Sequence, residues 1–246
     1  GRTRDDDRVA LLQRTDVEQP EVGGHAGHAE QREVALRRHV RGRGDLLQAA
    51  AVALHVLLHA EHTGDGVADG EVRVDAGGQM HLTDTLEQSN AGRIDVVGNA
   101  AQVAEIEFDG RLTNVKITGN ITATNATLRF NGGLPNHGAV GISVGTSHVH
   151  GDINNKPGAT ITVKGNSTVT FWDNLTNNDT VEGSSGSTAI YFETVTGVAS
   201  FTGGGTTVVE GSLSPGNSPG AMNFAGDVVL GAGSTTLMEL AGTGAG

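Results

Sequence analysis

Glu105, Glu107 and Asp109 alternate along one short stretch, so in an extended chain their carboxylates project from a single face. Paired carboxylates at such spacing are what glycoside hydrolysis or polysaccharide lysis needs, and a cation such as Arg129 or Lys116 in the same groove would complete a sugar-cleaving site. The intervening Ile106 and Phe108 support a plainer reading, in which the acids are the solvated side of a strand whose other side is core. Acids recur elsewhere as Asp84, Asp109, Asp152, Asp173 and Glu193. Stacked about 4.8 Å apart in successive layers, they would repel unless splayed into water or bridged by a hard cation such as Ca²⁺. The glycine-rich nonapeptide repeat that binds Ca²⁺ does not occur.

Histidines offer a second chemistry. His55, His59 and His62 fall on one face of a helical reading of that stretch, with Glu61 beside them. Zn²⁺ could be held so, but the pattern is not His-Glu-x-x-His and places no general base. His148 and His150 straddle Val149 and read as surface residues. Asn120, Asn125, Asn166, Asn174 and Asn178 each begin an Asn-x-Ser/Thr sequon, a match that arises by chance in a chain so rich in Asn and Thr. The glycine runs precede turns rather than helices, so no phosphate cradle forms. No catalytic, cofactor-binding or metal-binding residue is therefore assigned, and no cofactor is expected.

The elements that must position these residues divide the chain in two. Before Ser89 there is no Ser; Ile first appears at Ile94, Phe at Phe108 and Lys at Lys116. Residues 1–66 are rich in Arg and His, and they read as a helical or disordered segment: an N-terminal cap, or a stretch translated in the wrong frame. Leu46 to Ala60 is a strong helix former behind Arg37, Arg38, Arg41 and Arg43, the order of a signal peptide, though too short to span a bilayer. The chain has no Cys, so disulfides and thiolate sites are excluded. A formal charge of −12 argues against nucleic acid as a partner. The Gly-rich close from Ala241 to Gly246 leads us to expect a C-terminally truncated fragment.

From residue 67 to 246 the pattern alternates with a period of two: Val72-Arg-Val74, Ile94-Asp-Val96, Ile142-Ser-Val144, Ile161-Thr-Val163. A longer phrase returns above it, as Met80-Leu82-Leu86, Ile106-Phe108-Leu112-Asn114, Leu128-Phe130-Leu134-Asn136 and Val169-Phe171-Leu175-Asn177. Weaker copies are Val149-Ile153-Asn155 and Tyr191-Val195, after which the phrase fades. The landmarks at 86, 112, 134, 153, 175 and 195 recur about every 20 residues, one coil of a solenoid with three short strands and three turns. A sandwich or propeller would also show short strands, but neither fixes an Asn at a constant offset. Stacked coils do, because the amides at 114, 136, 155 and 177 can then bond to one another in a ladder. The expected fold is all-β, a right-handed parallel β-helix from about residue 70.

The phrases Ile121-Thr-Ala-Thr-Asn-Ala-Thr-Leu-Arg-Phe130 and Leu213-Ser-Pro-Gly-Asn-Ser-Pro-Gly220 carry a resemblance. With Phe224 to Gly233 and Leu237 to Leu240, they resemble passenger regions of bacterial autotransporters and PEP-CTERM exported proteins. That resemblance implies a secreted or cell-surface, outer-membrane-associated β-helix, adhesin-like and not an enzyme, whose partners are extracellular glycans or host and matrix surfaces. The chain shows neither the barrel translocator nor the Pro-Glu-Pro sorting tail of that pattern. The competing expectation is a polysaccharide-active β-helix enzyme, a lyase or glycoside hydrolase. A third is a fragment with no function of its own.

Overall fold

The computed structural model describes residues 62–63, 67–68, 71–83, 85–198, 200–216 and 220–238. Most of residues 1–66 lie outside it, and with them the helical cap, the signal-like stretch, His55, His59 and Glu61. His62 is described, and it stands in a two-residue strand, His62–Thr63, rather than on a helix.

The described residues contain no helix, and their strands form three sheets that the chain visits in strict rotation from Glu71 onward. The first wall begins at Glu71–Asp75 and continues through Arg93–Val97, Asn120–Thr124 and Ala139–Ser143 to Asn223–Phe224. The second runs from Gln79–Leu82 through Ala104–Phe108, Ala126–Phe130, Thr146–His150, Thr168–Phe171 and Thr188–Tyr191 to Asp227–Leu230. The third carries Gln88–Asn90, Leu112–Asn114, Leu134–Asn136, Ile153–Asn155, Leu175–Asn177 and Thr194–Gly197. Every pairing is parallel except His62–Thr63 with Val67–Ala68. Each strand bonds to its equivalent one coil away, which no sandwich or propeller does. The chain is a parallel β-helix of about eight turns.

Alternation decides what each wall buries. Ile94, Ile121, Val140, Ile161, Val181 and Phe201 stack as one inward column of the first wall. Ile106, Leu128, Val149, Phe171, Tyr191 and Val209 form another in the second. Like side chains at a strand spacing of about 4.8 Å fill a narrow interior without large aromatics, which is how a chain with 3% aromatic residues builds a core.

Two features of the repeat depart from the sequence reading. Leu86 is not a landmark: it is 71% exposed, and the residue opposite Leu112 is Gln88. More consequentially, Phe171 does not stack on Phe130. It lies over Val149 and Leu128, while Phe130 stacks on Phe108 with ring centroids 5.9 Å apart. The cause is a change of corner length. Six positions separate Leu128 from Leu134, whereas four separate Val149 from Ile153 and Phe171 from Leu175, so the apolar phrase slides by two residues. Gly151 makes the shorter corner possible. Its φ is +95°, and a β-carbon there would lie 2.0 Å from the Phe130 carbonyl oxygen. The stacking also continues past Val195, through Leu213 to Thr236, beyond the point where the phrase fades in sequence.

Candidate functional site

The Asn ladder predicted for the third wall is present, and it is one rung longer. Asn90, Asn114, Asn136, Asn155 and Asn177 are buried, and each Nδ2 donates to the next Oδ1 at 2.8–2.9 Å. The same Nδ2 atoms also donate to the carbonyls of Asn120, Ala139, Thr160 and Thr180, which ties the third wall to the first. The ladder stops at Asn177, whose Nδ2 has no partner among the described residues. The opposite residue is Gly197, at φ +121°, where a β-carbon would lie 1.8 Å from the Asn177 carbonyl oxygen. No side chain can continue the ladder there.

Chemistry-bearing side chains gather instead on the outer face of the second wall. Residues that alternate with the core stand outward, so His81, Glu107, Arg129 and His150 follow one another from coil to coil. At the first coils this column is ionic. His81 Nε2 lies 2.9 Å from Asp109 Oδ1 and 3.9 Å from Glu107 Oε2. Asn131 Nδ2 donates to Glu107 Oε1 at 2.9 Å and Asp109 Oδ1 at 3.1 Å. Arg129 Nε pairs with Glu105 Oε1 at 2.7 Å, and Gln79 Nε2 donates to Glu105 Oε2 at 3.0 Å.

The hydrogen bond that His81 donates to Asp109 raises the His81 pKa and holds the Asp109 carboxyl below its ordinary range. Ligating atoms of His81, Glu107 and Asp109 lie within 4.8 Å of one another, a set that a divalent cation could bridge. Hydrogen bonds within the cluster already engage these atoms. Of the three carboxylates read from sequence, Glu105 pairs with Arg129, while Glu107 and Asp109 share His81 and Asn131. Lys116 is not part of the group: its side chain lies near Gly158.

The acidic positions are not one column. Asp152 Oδ1 accepts from both the backbone N–H and the side-chain amide of Asn174, and Asp173 Oδ2 accepts from the Gly151 N–H. They satisfy corner donors, the ordinary use of Asp at a turn. Asp84 lies outside the described residues. Among the sequon residues, Asn125 sits at φ +43° and accepts from the Thr146 N–H, so its amide is used within the turn.

Two coils further along, the outer column turns aromatic. Trp172 follows the inward Phe171, and Phe192 follows the inward Tyr191, so both rings stand outward. Trp172 and Phe192 stack at 4.5 Å with planes 20° apart, and His150 and Trp172 at 5.8 Å with planes 8° apart. The Trp172 indole N–H donates to His148 Nδ1 at 3.3 Å, which requires that nitrogen to carry no proton. Burial pushes the His150 pKa down, with Arg129 adding to the effect and Asp173 opposing it. Sequence reading placed His148 and His150 at the surface and passed over Trp172 and Phe192. The available signal was parity, since each follows a core aromatic and must point outward.

Comparison with family models, curated proteins and solved structures returned no match for this chain. No helix among the described residues is long and apolar enough to cross a membrane.

Proposed function

We propose that this chain is a non-enzymatic scaffold of a secreted or cell-surface bacterial protein, adhesin-like, in which a stiff β-helix presents its outer face to external ligands. The observation that carries the reading is the contrast between constant inward columns and an outward column whose chemistry changes every coil or two. The interior repeats Ile, Leu, Val and Asn, while the second wall's exterior passes from His81 and Glu107 through Arg129 to His150, Trp172 and Phe192. A solenoid frees its exterior for contacts because each coil is stabilised by its neighbours alone. The autotransporter-like and PEP-CTERM-like phrases support the same location.

Fractionation of producing cells tests it. The chain is expected in the extracellular or outer-surface fraction and accessible to antibody on intact cells; confinement to the cytosol would overturn the proposal. A second reading, a polysaccharide-active enzyme, draws on the Arg129–Glu105 pair beside Glu107. It requires the chain to release reducing ends or unsaturated products from polysaccharide, and Glu105→Gln to abolish that release.

A further inference from the structure

We infer that the outward strip His150–Trp172–Phe192 is a binding platform for a neutral carbohydrate chain lying along the coil axis. Aromatic rings in contact lie about 3.5 Å apart. Centroid separations of 5.8 and 4.5 Å with near-parallel planes set the three rings in one row from coil to coil, wider apart than rings sealed face to face. Trp172 is 37% exposed and Phe192 41%. An exposed Trp–Phe pair is costly to leave in water, and the His148 bond to the indole N–H holds the Trp ring in one orientation.

The occupant follows from the face's shape and charge. A pyranose presents a flat side of axial C–H bonds, the positive counterpart to the negative face of an indole or phenyl ring. Its equatorial hydroxyls then meet the Arg129–Glu105 pair at one end of the strip, where donors and acceptors are already ordered at 2.7 Å. Asp173 and Glu193, next in sequence to the two rings, rim the strip with negative charge, which disfavours uronic or sulfated chains and nucleic acid. The strip is one side chain wide and three coils long, far below the roughly 800 Å² per partner of a stable protein interface. A second copy of the chain is therefore the poorer fit. This inference deepens the scaffold reading and rests on it for the openness of the face. Loss of sugar binding with cell-surface location intact would remove the platform alone.

The chain holds a single Trp, so its emission reports this strip and nothing else. The full chain is titrated with cellohexaose, xylohexaose, mannohexaose and maltohexaose, with hexagalacturonate as the acidic probe. At least one neutral hexasaccharide is expected to shift Trp172 emission to shorter wavelength in a saturable way, and hexagalacturonate to shift it at least tenfold more weakly. In isothermal calorimetry Phe192→Ser is expected to lower the affinity for that sugar at least tenfold, as is Trp172→Ala. Thr176→Ala, on the third wall, should bind as the parent does, and circular dichroism confirms that the variants fold. Silence toward all four neutral sugars, binding that survives both strip substitutions, or preference for hexagalacturonate would overturn the inference. So would an emission shift that follows protein concentration and tracks dimer formation by sedimentation, since the strip would then belong to a second copy.

Discussion

The inner ladder of the third wall and the outer column of the second run along the same coils under opposite rules. Inside, Asn114, Asn136, Asn155 and Asn177 repeat one residue because each must bond to an identical amide one coil away, with no water to replace it. Outside, water satisfies any polar group, so the column is free to change from ionic to aromatic between Arg129 and Trp172. Constancy here marks packing, and departure from constancy marks the surface available for recognition.

Breaking the ladder should have the largest effect. Asn136 accepts from Asn114 and the Gly138 N–H and donates to Asn155 and the Thr160 carbonyl. Asn136→Leu removes all four of these buried bonds at once, and a loss of about 3 kcal/mol in urea unfolding is expected. On the outer column, Trp172→Ala removes stacking on His150 and Phe192 but exposes nothing unsatisfied in the core. It should cost about 1 kcal/mol in the same measurement. A larger loss for Trp172→Ala than for Asn136→Leu would reverse the comparison.

Tyr191 sharpens it from inside. Its ring stacks on Phe171 at 5.0 Å, yet its hydroxyl is buried without a partner among the described residues, and burial pushes its pKa far up. A buried polar group outside the ladder is a liability, so Tyr191→Phe should raise stability by about 1 kcal/mol.

The smallest effects are titrations. Burial pushes the Asp95 carboxyl up, but the hydrogen bonds from Arg93, at 2.6 Å, and Thr122 outweigh it and hold the carboxyl below its ordinary value. Its contribution is then present above about pH 4 and lost as pH falls through the depressed native value. Asp95→Asn should flatten that acid limb of the stability profile. His81 works in the other direction: its raised pKa stabilises fully below about pH 6.5 and fades as pH rises through the native value. His81→Gln should remove this slight alkaline decline, read as the urea midpoint against pH.

The all-β solenoid, its period and four of the five ladder rungs could be read from the chain because alternation and coil length are local properties. The register could not. Phe130-Leu134 and Phe171-Leu175 look equivalent in sequence, yet Phe171 stacks on Val149, because the corner between second and third walls shortens at Gly151 and only coil-to-coil pairing reveals that. Asn90 was hidden for a related reason: its strand, Gln88–Asn90, opens with Gln where the others have Leu or Ile. The ionic cluster was half visible, since Glu105, Glu107 and Asp109 share a face by alternation. Their partners His81, Arg129 and Asn131 come from neighbouring coils. For Trp172 and Phe192 parity along the strand gives the outward direction but not the neighbour. The neighbours are set by stacking, not by spacing along the chain.

Native-state hydrogen exchange on the full chain tests the division between interior and surface most directly. Asn136→Leu should speed exchange in the flanking strands Leu112–Asn114 and Ile153–Asn155 together, whereas Trp172→Ala should leave those strands as protected as in the parent. Deprotection confined to Leu134–Asn136 in the first variant, or spreading through the third wall in the second, would contradict a fold held by its inner ladder and free at its outer face.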